Sequence, residues 1–556
     1  MFLPTTKEEM HHLGWEKLDI ILISGDVYID NYYDGSALLG KLLVSKGFKV
    51  GIISQPDISS PKDIMRLGEP ELFWGVSAGC VDSMVTNYTA LLKKKKNDDL
   101  TPGGLNNKRP DRAVIKYTNL IRQYFKNTKP IIIGGIEASL RRIAHYDYWS
   151  DAIRKSILFD SKADYLVYGM AERTILETAD FIKQNKSLKL LRGLCYISNT
   201  KVDNYIELPS YDEVKNDKIK FIEMFHHFYQ NNDPLNANGL CQKQDSRYLI
   251  QNPPNFNLSQ KELDEIYELD FERDVHPYYK KHGKVKALET IQFSINSHRG
   301  CYGECNFCAI TVHQGRTINS RSVNSILKEV RNITQHKDFK GIINDIGGPT
   351  ANMFDNKCKL QSTKGSCKDK RCLLPERCKA MKIDHSSQID LLEKVKRIPR
   401  VRKVFIGSGL RYDLIIEDHK AGEKYLLNLV KDHVSGQLKI APEHVSENVL
   451  QLMGKPSNKN LIDFRRRFND FSKKIGKNQF LTYYLIAAHP GCEQQDMEEL
   501  RNFIHNELKL KPEQMQVFTP TPSTYSTLMY YSGLHPDTLK PIFVEKTLKG
   551  KRKQLL

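Results

Sequence analysis

Three cysteines stand close together near the middle of the chain. Cys301, Cys305 and Cys308 are spaced by four and three residues in the run Cys-Tyr-Gly-Glu-Cys-Asn-Phe-Cys. Three thiolates on one tight loop can each bind one iron of a four-iron cluster and leave the fourth iron without a protein ligand. An open iron can coordinate a substrate or a cofactor, so the spacing favours a site of chemistry over a plain electron carrier, in which a fourth cysteine closes the cluster.

The same residues allow two other interpretations. Together with His313 the cysteines give the spacing C-x3-C-x2-C-x4-H, which could form a tetrahedral structural zinc site. They could also be reduced thiols that bind no metal, although the polar and glycine-containing surroundings are poor for packing cysteine as a small apolar side chain. We favour the cluster.

Further motifs accompany the cysteine loop along the chain. They lie at residues 2–4, 14–15, 24–30, 52–57, 294–308, 313–316, 320–322, 345–353, 407–413, 438–444, 488–491 and 517–522. In this order they resemble the YgiQ-type branch of the radical S-adenosylmethionine superfamily, and the resemblance covers nearly the whole chain.

The resemblance implies a pair of cofactors. Cys301, Cys305 and Cys308 would ligate a 4Fe-4S cluster, and the amino and carboxylate groups of S-adenosylmethionine would chelate its open iron. An electron from the cluster, supplied by a reductant such as flavodoxin or ferredoxin, would then cleave S-adenosylmethionine to a 5′-deoxyadenosyl radical. The substrate of that radical and the catalytic residues that meet it are unknown from the sequence.

Six other residues resemble cofactor-binding positions of the superfamily: Phe307, Gly347, Gly348, Pro349, Arg411 and Glu443. The glycines would let backbone carbonyls face the methionine amino group, and the phenylalanine would lie near the adenine. The arginine and the glutamate could pair with the carboxylate and the ammonium group of the cofactor. A plain turn, loop packing and structural ion pairs are the respective alternatives.

A second set of cysteines lies in a lysine-rich insertion at residues 355–380: Cys358, Cys367, Cys372 and Cys378. Four thiols so close in sequence could bind zinc or a second iron–sulfur cluster, and the surrounding basic residues would favour thiolates. The spacings lack the short C-x2-C knuckle of structural zinc, and the resemblance extends to cysteines in this insertion without naming the metal. The sequence does not distinguish the two metals.

The first 200 or so residues alternate short apolar strands with helical spans, as a parallel α/β sheet requires. The predicted strands are residues 19–24, 49–54, 72–77, 130–135 and 165–169. This region resembles a cobalamin-binding domain. Where such domains hold cobalamin by a histidine, the pattern is Asp-x-His-x-x-Gly, and residues 26–31 contain no histidine. We therefore expect the domain to keep the fold without cobalamin.

Strands and helices alternate again from about residue 286. The predicted strands are residues 289–296, 341–346, 403–407, 436–441, 480–487 and 514–518. Six strands with intervening helices favour a partial, TIM-like (β/α)6 barrel, which the resemblance to the superfamily also implies. We predict an α/β protein with a cobalamin-binding-like domain at 1–200, a mostly helical connector at 201–285, a radical S-adenosylmethionine core at 286–548 and a basic tail at 549–556.

Composition adds two expectations. No apolar run is long enough to cross a bilayer and the first residues lack the features of a signal peptide, so we expect a cytoplasmic protein with no membrane contact. The net charge of +18 could attract RNA, but it is dispersed and no aromatic-rich RNA-binding signature accompanies it. Two other hypotheses remain: a methyltransferase or methylthiotransferase of the same superfamily acting on RNA or ribosomal protein, and a zinc-stabilised nucleic-acid-binding protein without catalysis.

Overall fold

A computed structural model describes residues 1–509 and 515–555 of the chain. The chain divides into two compact units. Unit 1 comprises Met1–Asn257, Glu265–Gln292 and Thr521–Ser523, and unit 2 comprises Leu258–Asp264, Phe293–Pro520 and Thr524–Leu556. Each unit has its own core of buried apolar side chains.

Unit 1 is built on a nine-stranded sheet with the strand order β2-β1-β3-β4-β7-β8-β11-β10-β9, and β5 and β6 form a separate hairpin. The strands are β1 (Ile20–Ser24), β2 (Val50–Ser54), β3 (Phe73–Ser77), β4 (Ile131–Gly134), β5 (His145–Asp147), β6 (Ala152–Arg154), β7 (Tyr165–Val167), β8 (Leu194–Ser198), β9 (Ile206–Leu208), β10 (Leu240–Gln244) and β11 (Arg247–Gln251). The five strands from β2 to β7 are parallel, and β8, β11 and β10 continue the sheet in antiparallel fashion.

The apolar runs explain the parallel part of the sheet. Strands β1 and β2 are buried along their whole length, as strands are when helices cover both faces of a parallel sheet. The five strands predicted for this region are confirmed as β1, β2, β3, β4 and β7. The helices are α1 (Lys7–His12), α2 (Gly35–Ser45), α3 (Ser83–Asn87), α4 (Ala113–Tyr124), α5 (Gly135–Ser139), α6 (Ile157–Ser161), α7 (Glu172–Lys183), α8 (Tyr211–Asn216), α9 (Lys218–Gln230), α10 (Gln260–Tyr267, divided between the units), α11 (Pro277–Lys280) and α12 (Ala287–Ile291), with a 3-10 turn at Leu188–Leu190.

Residues 201–285 differ from the predicted connector. They contain helices, but β9, β10 and β11 belong to the unit 1 sheet, and most of the segment counts with unit 1. These strands could not be predicted from an apolar pattern because several of their buried residues are polar. Gln242 and Gln244 are fully buried, and their side-chain oxygens accept hydrogen bonds from the backbone N–H groups of Ala144 and Ser156, both at 2.9 Å. Buried amides that are satisfied in this way leave no apolar pattern in the sequence.

Unit 2 contains short parallel strand pairs that follow one another in chain order. The strands are β12 (Ser294–Asn296), β13 (His298–Arg299), β14 (Asn319–Ser320), β15 (Ile342–Ile343), β16 (Asp345–Gly347), β17 (Lys403–Val404), β18 (Gln437–Glu443), β19 (Phe480–Ala487) and β20 (Met515–Val517). The parallel pairs are β12 with β16, β15 with β17, β18 with β19 and β19 with β20. A parallel bridge between Leu410 and Ile440 links the segment after β17 to β18.

This order confirms the predicted α/β fold with a partial barrel, because six parallel segments lie side by side from β12 to β20. Gln514, at the start of the predicted sixth strand, lies outside the described residues. The helices of unit 2 are α13 (Ile310–Gln314), α14 (Val323–Gln335), α15 (Lys359–Lys364), α16 (Ser386–Lys396), α17 (Tyr412–Glu417), α18 (Gly422–Asn428), α19 (Glu447–Met453), α20 (Lys459–Ile475), α21 (Gln494–Phe503), α22 (Tyr525–Ser532) and α23 (Leu548–Lys553), with π-helical turns at Leu429–His433 and Ile504–Leu508.

Residues 549–553 of the predicted basic tail belong to helix α23, which begins at Leu548. Its Lys551 is buried and donates to the hydroxyl of Tyr530 at 2.8 Å. The side-chain amide of Gln554 donates to the carbonyl of Cys492 at 3.1 Å. The tail therefore packs on unit 2. In the parts of the chain that the structure describes, no helix is long and apolar enough to cross a membrane.

Candidate metal centre

The cysteine loop follows the first strand of the barrel and is fixed by glycines. Gly300 has a φ of +81°, and a Cβ on it would lie 2.1 Å from the carbonyl oxygen of Thr317. No other residue fits this position without a backbone shift. The next residue, Cys301, donates its N–H to the carbonyl of Gly315 at 3.2 Å, which ties the start of the loop to the end of helix α13.

The three thiols of the loop are half-buried. Cys301 Sγ lies 3.4 Å from the hydroxyl of Thr350 and accepts a hydrogen bond from the N–H of Gly303, also at 3.4 Å. Burial raises the pKa of Cys301 and of Cys308, and a neighbouring thiolate at Cys305 raises both further. Cationic charge beside these thiols would favour their thiolate forms, as a bound metal does.

Three thiols on one short loop are the donor set that this part of the structure offers to a metal cluster. Within residues 1–509 and 515–555, no group of three or more histidine, cysteine, aspartate or glutamate side chains is placed to hold a single metal ion. In a four-iron cluster each thiolate would bind a different iron, and Cys301, Cys305 and Cys308 are the residues that would hold it.

Arg411 places a cationic side chain beside one thiol of the loop. Its Nη1 lies 3.8 Å from Cys305 Sγ. Its Nε and Nη2 donate to the carboxylate of Asp413 at 2.6 to 3.2 Å, so the guanidinium is held by an almost completely buried ion pair. These contacts favour a role beside the Cys305 thiol; the pairing of Arg411 with a cofactor carboxylate stays a prediction.

A series of hydrogen bonds holds the backbone of Arg411 in place. Asn352 accepts from the N–H of Arg411 and donates to its carbonyl, both at 3.0 Å. The same amide lies 3.1 Å from Nε2 of His385, whose Nδ1 lies 2.7 Å from Asp418. His385 stacks on Tyr425 with the ring centroids 4.6 Å apart. The sequence did not predict this series of hydrogen bonds. Asn352 lies inside a recognised motif, but no sequence pattern identifies His385 or Asp418.

The glycine motif ends β16 and lies directly against the cysteine loop. The carbonyl of Gly347 accepts from both the N–H and the hydroxyl of Ser297, at 2.7 and 2.8 Å. A Cβ on Gly348 would lie 2.5 Å from Cε1 of the buried His298 ring. The motif therefore needs glycine for space. Because the Gly347 carbonyl is engaged, a ligand's amino group would have to meet the backbone at Gly348 or Pro349.

Glu443 lies at the end of β18 in a strained conformation. Its φ is +70°, and the pairing of β18 with β19 shifts register between Ile440 and Glu443. Lys455 Nζ lies 3.7 Å from its Oε1 and also donates to the carbonyl of Ala441. Burial raises the pKa of Glu443, and the charge of Lys455 lowers it. The negative charge of Glu443 contributes in turn to the raised pKa of Cys308 in the loop. A strained, buried carboxylate beside the loop is typical of a functional position.

Phe307 packs against the apolar core of unit 2. Its ring meets that of His489 edge-on, with the centroids 6.4 Å apart. His489 lies 2.6 Å from the hydroxyl of Ser526 and 2.8 Å from the carbonyl of Pro490, and burial lowers its pKa to about 3. Both ring nitrogens of this buried histidine therefore have hydrogen-bond partners within unit 2. The placement of Phe307 near an adenine stays a prediction.

In unit 1, the carboxyl ends of β1 and β3 are closed by buried charged side chains. Arg109 forms ion pairs with Asp26, which follows β1, and with Asp98. It also donates to the carbonyl of Ala78, after β3, at 2.7 Å. A Cβ on Gly25 would lie 2.2 Å from that same carbonyl oxygen. The two loops thus meet without a gap at the edge where α/β sheets bind ligands.

Tyr28 stands where the cobalamin pattern has its histidine. The side chain is fully buried; its hydroxyl donates to Asp30 and accepts from the N–H of Leu3, at 2.9 and 3.0 Å. Asp30 is in turn paired with Lys41 at 3.0 Å. This position therefore holds a tyrosine whose hydroxyl is already hydrogen-bonded, in place of a histidine that could bind cobalt. These residues do not fit a histidine-held cobalamin.

Comparison with known proteins agrees with this architecture. A family model described as Radical SAM N-terminal matches residues 2–294. A UPF0313 protein of Fusobacterium nucleatum is 57% identical over 554 residues, which cover 100% of this chain and 98% of the relative. A UPF0313 protein of Thermotoga maritima is 51% identical over 556 residues, covering 100% of this chain and 97% of the relative.

Two solved structures have a similar fold. The radical S-adenosylmethionine methyltransferase TsrM from Kitasatospora setae, with cobalamin and a [4Fe-4S] cluster bound, matches with a TM-score of 0.51 and 13% identity over 91% of this chain and 73% of that chain. The cobalamin-dependent radical enzyme OxsB, with aqua-cobalamin and S-adenosylmethionine bound, matches with a TM-score of 0.52 and 14% identity over 95% of this chain and 56% of that chain. At such identities the likeness concerns the fold alone. From the family model and the relatives together, this chain belongs to the UPF0313 family of the radical S-adenosylmethionine superfamily.

Proposed function

We propose that this protein is a radical S-adenosylmethionine enzyme that binds a 4Fe-4S cluster through Cys301, Cys305 and Cys308. The observation that carries the proposal is that the three thiols share one loop, whose start requires glycine at position 300, and that the guanidinium of Arg411 lies 3.8 Å from Cys305 Sγ. When bound, the cluster supplies an electron for the reductive cleavage of S-adenosylmethionine to a 5′-deoxyadenosyl radical, which acts on a substrate still to be identified.

The residues around the loop have distinct parts in this proposal. Arg411 places positive charge beside Cys305, where it would attract the negative charge of a bound cluster. The backbone at Gly348 receives the amino group of S-adenosylmethionine, and Glu443 lies where it can attract the same ammonium group. Phe307 covers the loop with an apolar ring and excludes water from it. An external one-electron donor of the flavodoxin or ferredoxin type completes the reaction.

We further propose that unit 1 binds no cobalamin. The ion pairs of Arg109 with Asp26 and Asp98, and the engaged hydroxyl of Tyr28, support this proposal because they fill the sheet edge with the chain's own side chains. Incubation of the purified protein with hydroxocobalamin, followed by gel filtration, tests it. Stoichiometric corrinoid absorption that stays with the protein would refute it.

The enzymatic proposal is tested by anaerobic reconstitution with iron and sulfide. We expect dithionite-dependent formation of 5′-deoxyadenosine from S-adenosylmethionine by the wild type and none by Cys305→Ala. Cys195→Ala is the matched control, since it removes a buried thiol of unit 1 and should retain the activity. A wild-type protein that contains iron–sulfur cluster but releases no 5′-deoxyadenosine would overturn the proposal.

A further inference from the structure

We infer that residues 357–382, hereafter the basic insertion, form the docking surface for an acidic electron-transfer protein that reduces the cluster of the cysteine loop. The inference rests on the proposed function, which requires an external one-electron donor. It deepens that function because it assigns the surface through which the electron arrives. Three observations carry it: the charge of the insertion, its contacts with the cysteine loop and the placement of its lysines.

The basic insertion carries a large excess of positive charge. It contains seven lysines and two arginines but only two acidic residues, Asp369 and Glu376. All seven lysines are exposed. Within residues 1–509 and 515–555, the ammonium groups of four of them form neither an ion pair nor a hydrogen bond: Lys359, Lys370, Lys379 and Lys382. Their charge is therefore not compensated within the described chain and projects a positive field into the solvent.

The basic insertion packs directly on the cysteine loop. The guanidinium of Arg371 donates to the carbonyl of Glu304, which lies between two of the loop cysteines, at 3.2 Å. Arg316 joins the two segments, because its Nη1 donates to the carboxylate of Glu304 at 2.9 Å and to the carbonyl of Cys367 at 3.2 Å. The fully buried Tyr302 of the loop packs in an apolar group with side chains of the insertion. Electron tunnelling weakens steeply with distance, and a protein bound to the insertion would lie close to the loop.

The fold of the insertion concentrates its lysines. An antiparallel bridge pairs Cys358, near its start, with Met381, near its end. In antiparallel pairing the residue before one partner lies opposite the residue after the other, so Lys357 lies opposite Lys382. Lys359 and Lys379 are one and two residues from the same bridge. Like charges placed so close repel one another, and acidic side chains of a bound partner would relieve that repulsion.

The composition of the insertion favours an acidic protein over nucleic acid. Single-stranded nucleic acid is bound by aromatic side chains that stack on its bases, and the insertion contains no aromatic residue. The planar fork of arginine recognises phosphate groups, but Arg371 is engaged by the carbonyl of Glu304 and Arg377 pairs with Glu417 at 3.4 Å. The exposed lysines are flexible point charges. They suit the steering of an acidic protein into a small, weak complex of the kind that electron transfer uses.

Two charge variants of the full-length chain test the inference. The insertion variant carries four substitutions: Lys359→Glu, Lys370→Glu, Lys379→Glu and Lys382→Glu. The control variant carries the same change at four exposed lysines on the helices α18 and α20 of unit 2: Lys424→Glu, Lys459→Glu, Lys473→Glu and Lys474→Glu. Both variants have the same net charge, so only the place of the change differs. The electron donor is a reduced flavodoxin of acidic isoelectric point.

We expect the insertion variant to form 5′-deoxyadenosine with reduced flavodoxin at least about tenfold more slowly than the wild type in about 10 mM salt, where the Debye length is about 30 Å. The difference should vanish near 1 M salt, where that length is about 3 Å. The control variant should resemble the wild type. With dithionite, which needs no docking surface, all three proteins should react at similar rates. Calorimetry should show a matching loss of flavodoxin affinity in the insertion variant, independently of turnover.

Equal flavodoxin-dependent rates in the insertion variant and the wild type would overturn the inference, also if that variant lost affinity for RNA. Equal losses in both variants would overturn it too, since net charge alone would then explain them. If the insertion variant fails to fold, the wild type decides: an affinity for flavodoxin that does not fall with rising salt overturns the inference. Failure of the proposed function is a separate outcome, seen as missing 5′-deoxyadenosine in the wild type with dithionite, whatever its affinity for flavodoxin.

Discussion

Replacing Arg411 by Gln should lower the reduction potential of the 4Fe-4S cluster that we propose for the cysteine loop. Arg411 Nη1 lies 3.8 Å from Cys305 Sγ, and the arginine is almost completely buried. Two unit charges about 4 Å apart interact by about 4 kcal/mol at an effective dielectric constant of about 20. Because the reduced cluster carries one more negative charge than the oxidised one, the guanidinium favours reduction.

Asp413 reduces the size of this effect. Its carboxylate pairs with Nε and Nη2 of Arg411 at 2.6 to 3.2 Å, so Cys305 meets the field of an ion pair. If a quarter to a half of the full interaction remains, the shift is about 1 to 2 kcal/mol, or about 45 to 90 mV for a one-electron couple. Asp413→Asn leaves the arginine uncompensated and should raise the potential by a similar amount.

The assay is a redox titration monitored by electron paramagnetic resonance, on the signal that Cys305→Ala abolishes. Arg321→Gln is the matched control, because Arg321 is equally buried but pairs with Glu329 and Ser325 instead of a cysteine sulfur. Opposite shifts in the two test variants would support the electrostatic argument. Midpoint potentials that shift in the same direction in both variants, or that do not change, would refute it. Structural damage alone does not predict shifts of opposite sign.

Three further predictions concern packing, pH and buried charge. Gly348→Ala places a Cβ 2.5 Å from Cε1 of His298 and should lower the free energy of unfolding by about 1 to 3 kcal/mol. Calorimetry should show that this variant binds S-adenosylmethionine at least about tenfold more weakly than the wild type. Unchanged affinity would contradict the role that we propose for the backbone at Gly348. Burial lowers the pKa of His489 to about 3, so its contribution to stability is complete above the unfolded pKa and is lost as the pH falls from there towards 3. When the pH is lowered from about 7.5 to about 5.5, the free energy of unfolding measured in urea should therefore fall by about 1.4 kcal/mol less in His489→Gln than in the wild type. Arg109→Met leaves two buried carboxylates unpaired and should cost about 3 to 5 kcal/mol in chemical denaturation, whereas the half-exposed Arg122→Met should cost less than about 1 kcal/mol.

Much of the fold could be predicted because buried parallel strands have a local signature. Strands β1 and β2 coincide with apolar runs that are buried at every position, and β19 with a run that is buried at alternate positions. The antiparallel pair β10 and β11 could not be predicted in the same way. Its buried glutamines are polar, and only their hydrogen bonds to distant backbone groups make burial favourable.

The candidate site divides in the same manner. The sequence by itself determined that Cys301, Cys305 and Cys308 share one loop, because spacings of four and three residues cannot place them anywhere else. Only the tertiary structure brought Arg411, 106 residues further along, to the sulfur of Cys305. Spacing fixes which side chains are neighbours over a few residues; contacts between distant side chains depend on how strands and loops pack, and that packing sets the charge around the thiols.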